Sequence, residues 1–316
     1  MNEILIVGAG AWGTALAVHL AGAGRAVALW ARDPRLAETR QTARLPGIRL
    51  PPAVRVTTYL VPSPLTLLAV PVQHLHAVAG RLGNTGRVLV CAKGIETGTL
   101  ALPLEILAEM LPDTELGVLT GPNFAHEIAH ALPAAAVIAA ADPTLRDAAI
   151  AALATPTFRL YGNDDPIGAQ LGEAAKNVIA IAAGVVIGAG LGENARAALV
   201  TRGLAEMARL AVALGGRAET VAGLSGMGDL LLTCAGAASR NMSFGLALGA
   251  GTPVAAILAG RAGVTEGVAT APALVARAAR LGVAVPICEA VAALLAGEIS
   301  VAEATAALLS RPLRDE

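Results

Sequence analysis

Lysine is nearly missing from this chain. Of its 23 basic residues only Lys93 and Lys176 are lysines, leaving 21 arginines. Aromatic residues are 2% of the total and the net charge is −1. That composition offers no basic, aromatic-studded surface, so nucleic acid is not an expected partner. The three cysteines, Cys91, Cys234 and Cys288, are far apart and form no CxxC or zinc spacing. A disulfide framework is therefore excluded, and reduced buried thiols are expected. The histidine pairs His74/His76 and His126/His130 lack an HExxH context or a third ligand, so no metal site is expected. The longest uncharged apolar run near the middle, residues 178–192, is too short and Gly-rich for a membrane span of ~20 residues, and the other apolar stretches are broken by Arg, Glu or Asp. The opening "MNEILIVGAG" enters a strand directly, with no basic n-region followed by a cleavage site, which leaves a soluble cytoplasmic protein as the expectation.

What is present is apolar and periodic. The chain has 316 residues, 55% of them hydrophobic and 15% charged, long enough for two domains with Ala, Val and Leu packed inside. The opening strand, residues 4–7, runs into Gly8-Ala9-Gly10-Ala11-Trp12-Gly13 and then an amphipathic helix and a second strand, "AVALWA". A lone G-x-G-x-x-G is weak, but between strand and helix it reads as a dinucleotide-binding turn. Gly8 permits the tight turn, Gly10 lets backbone approach a pyrophosphate, and Gly13 lets helix pack on strand. Further strands are predicted at residues 54–57, 65–70, 87–92, 116–120, 134–140 and 158–161, with helical patterns such as "VQHLHAVAGRL" and "TLRDAAIAALA" between most of them. The alternation predicts an α/β fold: a doubly wound, mostly parallel sheet over residues 1–163. Ligands then belong at the carboxyl ends of its strands, where Lys93 and Gly121 to Phe124 fall.

The end of the second strand bears on the cofactor. Arg32 suits a 2′-phosphate, while Asp33 is one step from the position where an acid holds a 2′-hydroxyl. The reading puts NADPH ahead of NADH, against an ordinary surface arginine.

After Tyr161 the strand pattern stops. Asp165-Pro166 reads as an N-cap followed by Pro at the first helical position, opening a long helix that runs towards Gly184. Residues 164–316 are predicted to be all-α. Lys176-Asn177, Asp229 and Ser239-Arg240-Asn241 stand out against this apolar background. Buried lone charges are costly unless paired, so Lys176 and Asp229 are expected to meet, as a structural ion pair or as a catalytic one. Arg240 matches phosphate oxygens in a bidentate way.

Taken together, "GAGAWGTALA", "LWARD", "AKGIE", "GPNFAHEIA", "AAKNVIAIAAG", "GLSGMGDLLLTC", "SRNMSFGLALG" and "TEGVATA" resemble bacterial NAD(P)-dependent glycerol-3-phosphate dehydrogenases, in order and over essentially the whole chain. The resemblance implies a Rossmann-like N-terminal domain and a helical substrate domain. It implies hydride transfer between NADPH or NADH and dihydroxyacetone phosphate / sn-glycerol 3-phosphate, supplying glycerol 3-phosphate for phospholipid synthesis. It places Gly8, Gly10, Ala11, Trp12, Gly13, Arg32, Lys93, Ala125, Arg240, Val264 and Glu266 against the cofactor. Lys93, Gly121, Asn123, Lys176, Asn177, Asp229, Ser239, Arg240 and Asn241 lie against substrate. Lys176, Lys93 and Asp229 are the catalytic set, with Lys176 the proton donor and acceptor. Its pKa is expected to fall from ~10.4 through burial and cationic neighbours. Arg, permanently charged, cannot fill that role. The chain departs from the family pattern at Ile187, where Asp is common, at Asn123, where Ser or Thr is common, and at Ala11, often Ser. A homodimer is expected. The rivals are another two-domain dehydrogenase of the 6-phosphogluconate or ketopantoate type, and a non-catalytic nucleotide-sensing module.

Overall fold

A computed structural model describes residues 3–83, 85–236, 238–260 and 265–310. By its contacts the chain divides into two compact units, Met1–Glu96 with Ala101–Gln170, and Thr97–Leu100 with Leu171–Glu316.

The first unit holds eight strands: β1 (Ile4–Val7), β2 (Val27–Trp30), β3 (Val54–Thr57), β4 (Leu65–Leu68), β5 (Arg87–Val90), β6 (Glu115–Thr120), β7 (Ala134–Ala139) and β8 (Phe158–Asn163). They form one sheet in the order β3-β2-β1-β4-β5-β6-β7-β8. Every pair is parallel except β6 with β7. The residues of β1, β2 and β4 are all buried, as expected of strands covered on both faces. The helices of this unit are α1 (Ala11–Gly22), α2 (Leu36–Thr39), α3 (Leu75–Ala79), α4 (Pro103–Met110), α5 (Ala125–Ala129) and α6 (Pro143–Leu153). Because β1 pairs with β2 on one side and β4 on the other, the strand order reverses there, and the turn after β1 opens at that switch point.

Five strand boundaries differ from the sequence reading, two of them, the start of β6 at Glu115 and the end of β7 at Ala139, by a single residue. β4 stops at Leu68 because Pro71 leads into a 3₁₀ turn, Val72–His74, ahead of the short α3. β5 stops at Val90, and Gly94 at φ +109° then turns the chain. β8 continues past Tyr161 because Gly162 and Asn163 stay in register with Ile138 and Ala139. Buried His19 on α1 binds the Ile128 carbonyl through Nδ1 at 3.1 Å and the Thr155 hydroxyl through Nε2 at 2.8 Å. Burial holds its pKa below the usual value, so it serves as a neutral tie from α1 to its neighbours.

The helix α7 (Pro166–Gly188) starts as its sequence suggests. Asp165 Oδ1 accepts the amide of Gly168 at 2.9 Å, with Pro166 at the first helical position. The second unit continues with α8 (Gly192–Ala213), α9 (Ala218–Ala222), a π-helical turn (Leu224–Gly228), α10 (Asp229–Cys234), α11 (Arg240–Gly249), α12 (Val254–Ala259), α13 (Glu266–Arg280), α14 (Pro286–Ala296) and α15 (Val301–Leu309). Gly184 does not end α7. It sits one turn before Gly188 on a face that meets Gly245 and Gly249 of α11. A Cβ at any of these four positions would collide with backbone of the other helix. Small residues four apart let two backbones approach closely. Among the described residues α7 alone is long and apolar enough to cross a membrane, and 89% of its apolar window is buried inside the fold.

Candidate active site

In the first unit the glycine turn has the shape its pattern requires. Gly8 lies at φ +116°, where an added Cβ would stand 2.7 Å from the Ala69 carbonyl oxygen. A Cβ on Gly13 would strike the Gly8 carbonyl, which is how closely α1 packs on β1. At Gly10, by contrast, a Cβ would meet nothing within 4 Å. Gly10 is also the N-cap of α1 and supplies no side-chain acceptor to its first amides. An open cradle at a helix N-terminus fits a pyrophosphate. Ala11 and Trp12 form the first turn of α1, half-buried against the sheet core.

Arg32 follows β2 and is exposed. The carboxylate of Asp33 is gripped by Arg35, with Nε to Oδ1 at 3.0 Å and Nη2 to Oδ2 at 2.7 Å. Lys93 is half-buried three residues beyond β5, in a loop anchored by Gln73 Nε2 donating to the Ile95 carbonyl at 2.9 Å. Gly121, directly after β6, lies at φ +136° with the Ala136 Cα 3.0 Å from where a Cβ would be. Asn123 Nδ2 donates to the Ala135 carbonyl at 3.2 Å, and its Oδ1 is buried with no hydrogen-bond partner among the described residues. Ala125 opens α5.

In the second unit Lys176 and Asp229 come together. The Lys176 ammonium donates to Asp229 Oδ2, and Asp229 Oδ1 accepts the Thr233 hydroxyl at 3.1 Å. A second carboxylate, Glu173, lies one turn back on α7 with Oε2 3.0 Å from Lys176 Nζ. Lys176, Asp229 and Glu173 are each 2% exposed. The sequence reading weighed burial and neighbouring cations around Lys176 but missed Glu173; its signal was the i, i+3 spacing in "GEAAK". Two carboxylates favour the charged form and oppose the effect of burial. Nearby Cys234 has its thiol pushed up to about 12, chiefly by burial, with Arg196 and Lys176 acting against it. At that value the thiol stays protonated.

Asn177 donates through Nδ2 to the Glu173 carbonyl at 3.2 Å, and its Oδ1 accepts Asn241 Nδ2 at 2.8 Å. Asn241 Oδ1 in turn accepts the amide of Gly267 at 3.0 Å. Ser239 caps α11 by accepting the Met242 amide at 3.2 Å, and Arg240 stands exposed at the first position of that helix. Glu266 is the first residue of α13. Val264 lies outside the described residues. The π-helical turn before Asp229 was read from sequence as ordinary helix. It packs closely on its neighbours: a Cβ on Gly226 would collide with the Val221 backbone, and one on Gly172 of α7 would lie 2.5 Å from the Ser225 carbonyl.

Residues 3–146 match the family model of the NAD-dependent glycerol-3-phosphate dehydrogenase N-terminus, and residues 165–306 match that of its C-terminus. The glycerol-3-phosphate dehydrogenase [NAD(P)+] of Acidiphilium cryptum is 63% identical over 79% of this chain and 79% of its own length. The enzyme of the same name from Parvibaculum lavamentivorans is 48% identical over 100% of this chain and 98% of its own. The crystal structure of glycerol-3-phosphate dehydrogenase from Coxiella burnetii superposes with a TM-score of 0.93 at 35% identity, covering 98% of this chain and 99% of that one. With both domain models matched in order and relatives this similar over most of its length, the chain belongs to the NAD-dependent glycerol-3-phosphate dehydrogenase family of NAD(P)-linked oxidoreductases.

Proposed function

We propose that this protein interconverts dihydroxyacetone phosphate and sn-glycerol 3-phosphate, with Lys176 as the group that gives and takes the proton. The observation that carries the reading is a buried ammonium aimed by Asp229, itself fixed by Thr233 and by its place in the first turn of α10. A nicotinamide dinucleotide, when bound, supplies or accepts the hydride. Gly8, Gly10, Ala11, Trp12 and Gly13 would hold its pyrophosphate, and Arg32, Lys93, Ala125, Arg240 and Glu266 would complete its contacts. As oxygen at C2 becomes negative, the Lys176 ammonium stabilises the charge and delivers the proton. In the oxidative direction neutral Lys176 removes it.

Arg240 and the N-terminus of α11, capped by Ser239, are suited to the substrate phosphate. Lys93, Gly121, Asn123, Asn177 and Asn241 complete the substrate side. The unpartnered Oδ1 of Asn123 supports its place there, since buried acceptors in native structures are normally satisfied. NADPH is favoured over NADH because Arg35 occupies the carboxylate of Asp33, the alternative reader of the ribose. A cytoplasmic homodimer completes the reading.

Turnover of dihydroxyacetone phosphate with NADPH, followed by loss of nicotinamide absorbance, tests the reading. Oxidation of 6-phosphogluconate or reduction of ketopantoate in its place would overturn it, and binding of NADPH without turnover of any of the three would point to a sensing module.

A further inference from the structure

Glu173 has no part in the account above, yet its carboxylate is as close to the Lys176 ammonium as a hydrogen-bonding partner. We propose that Glu173 is a positioning residue for proton transfer, holding Lys176 in its loaded, protonated form between two buried carboxylates. The inference rests on the reading of Lys176 as the proton-transfer group.

Two carboxylates face Lys176, Glu173 from its own helix and Asp229 from α10, and the protonated thiol of Cys234 on α10 feels both Lys176 and Arg196 of α8. Arg196 is directed elsewhere, with Nη1 on the Cys234 carbonyl at 3.2 Å and Nη2 on Glu193 at 2.6 Å. The Glu173 carboxylate, 3.0 Å from Nζ, adds negative charge beside the ammonium and increases the affinity of Lys176 for its proton. When Lys176 gives its proton to the substrate oxygen, two anions remain to draw one back. The site is thereby biased to reload for carbonyl reduction, and the cost falls on oxidation, which starts from neutral lysine.

Because the chain holds only two lysines, the test reads Lys176 directly. Full-length protein labelled with [ε-¹³C]lysine gives two side-chain signals, assigned with Lys93→Arg, and each is titrated by NMR. Glu173→Gln keeps the shape and an acceptor oxygen but removes the charge. Its Lys176 midpoint is expected about one pH unit or more below wild type, in line with loss of an opposite charge at this range. Glu173→Asp, which retains the charge, should restore most of the shift. The rising limb of glycerol 3-phosphate oxidation against pH should move down with the midpoint. A Lys176 titration unchanged in Glu173→Gln overturns the inference and leaves the role of Lys176 itself intact. A titration that moves while the rate limb stays still overturns the proton role of Lys176, and with it the catalytic meaning of Glu173. Loss of thermal stability with neither curve moved also overturns the inference, since a merely structural glutamate would give that result.

Discussion

Asn241 donates to Asn177 across the α7–α11 crossing at 2.8 Å, and it holds the amide of Gly267 with its other end. Each of these three residues directly follows one assigned to the site: Asn177 follows Lys176, Asn241 follows Arg240 and Gly267 follows Glu266. One hydrogen-bonded chain thus sets the spacing of the proposed proton donor, phosphate grip and cofactor contact. It is supported by close backbone contact, because a Cβ on Gly267 would stand 2.7 Å from the Asn177 carbonyl oxygen.

The first expected outcome concerns that chain. Asn241→Ala leaves Asn177 Oδ1 and the Gly267 amide buried without these partners, a cost of ~1–3 kcal/mol for each group. Chemical denaturation should show the loss. The remaining folded enzyme should lose kcat as well as affinity for substrate. A variant as stable as wild type would show that the amides do not bind one another in solution.

Cofactor choice is expected to depend on Arg32. Arg32→Ala should weaken NADPH by ~1.5–3 kcal/mol through loss of a charged hydrogen bond to the 2′-phosphate, while leaving NADH nearly unchanged. Dissociation constants for both dinucleotides decide this. Equal losses would mean that Arg32 does not read the phosphate.

Two glycines should respond to alanine with opposite signs. At Gly245 a Cβ runs into the Ile181 carbonyl, so Gly245→Ala should push α11 off α7 and destabilise by ~1–3 kcal/mol. At Gly22, the last residue of α1, a Cβ meets nothing within 4 Å, and Gly22→Ala should gain ~0.5–1 kcal/mol. Melting temperatures of the two variants, measured side by side, check both signs.

Glu206 makes a pH-dependent contribution to stability. It lies 3% exposed on α8 and accepts the amides of Ile287 and Cys288 at the start of α14, at 2.8 and 3.3 Å. Burial raises its pKa to about 7, with those two amides acting against the rise. A carboxyl whose folded pKa is raised stabilises most below its unfolded value of 4.5, and that contribution is lost as pH climbs through about 7. The whole effect is roughly 3 kcal/mol. Urea midpoints for Glu206→Gln should therefore change less than those of wild type between pH 5 and 8. Parallel curves would mean that Glu206 titrates normally.

The sequence made the fold legible where local chemistry decides the outcome. Strand runs such as "ILIV", the glycine turn and the Asp165-Pro166 cap each act within a few residues, and each is found where the pattern puts it. Gly184 was misread as a helix end because its reason lies on α11, far away in the chain. Glu173 was missed because charge on a helix face is ordinary until one sees that the fold buries it. The π-helical turn depends on a glycine whose neighbour, Val221, presses on it from the preceding helix. Lys176 and Asp229 were legible as a pair for a simple reason: lone charges in apolar sequence need partners.

The central claim is that Lys176 moves the proton, and Lys176→Arg tests it most directly. Arg keeps a positive charge for the Asp229 and Glu173 carboxylates, so the variant should fold and bind NADPH, and electrostatic help to reduction should partly survive. It cannot act as a neutral base. The wild-type rate of glycerol 3-phosphate oxidation should rise with pH through the Lys176 titration. In Lys176→Arg that limb should vanish, with kcat lower by ~10²–10⁴-fold. Oxidation by the Arg variant at close to the wild-type rate, with the same rise against pH, would contradict the assignment and reduce Lys176 to a buried ion pair.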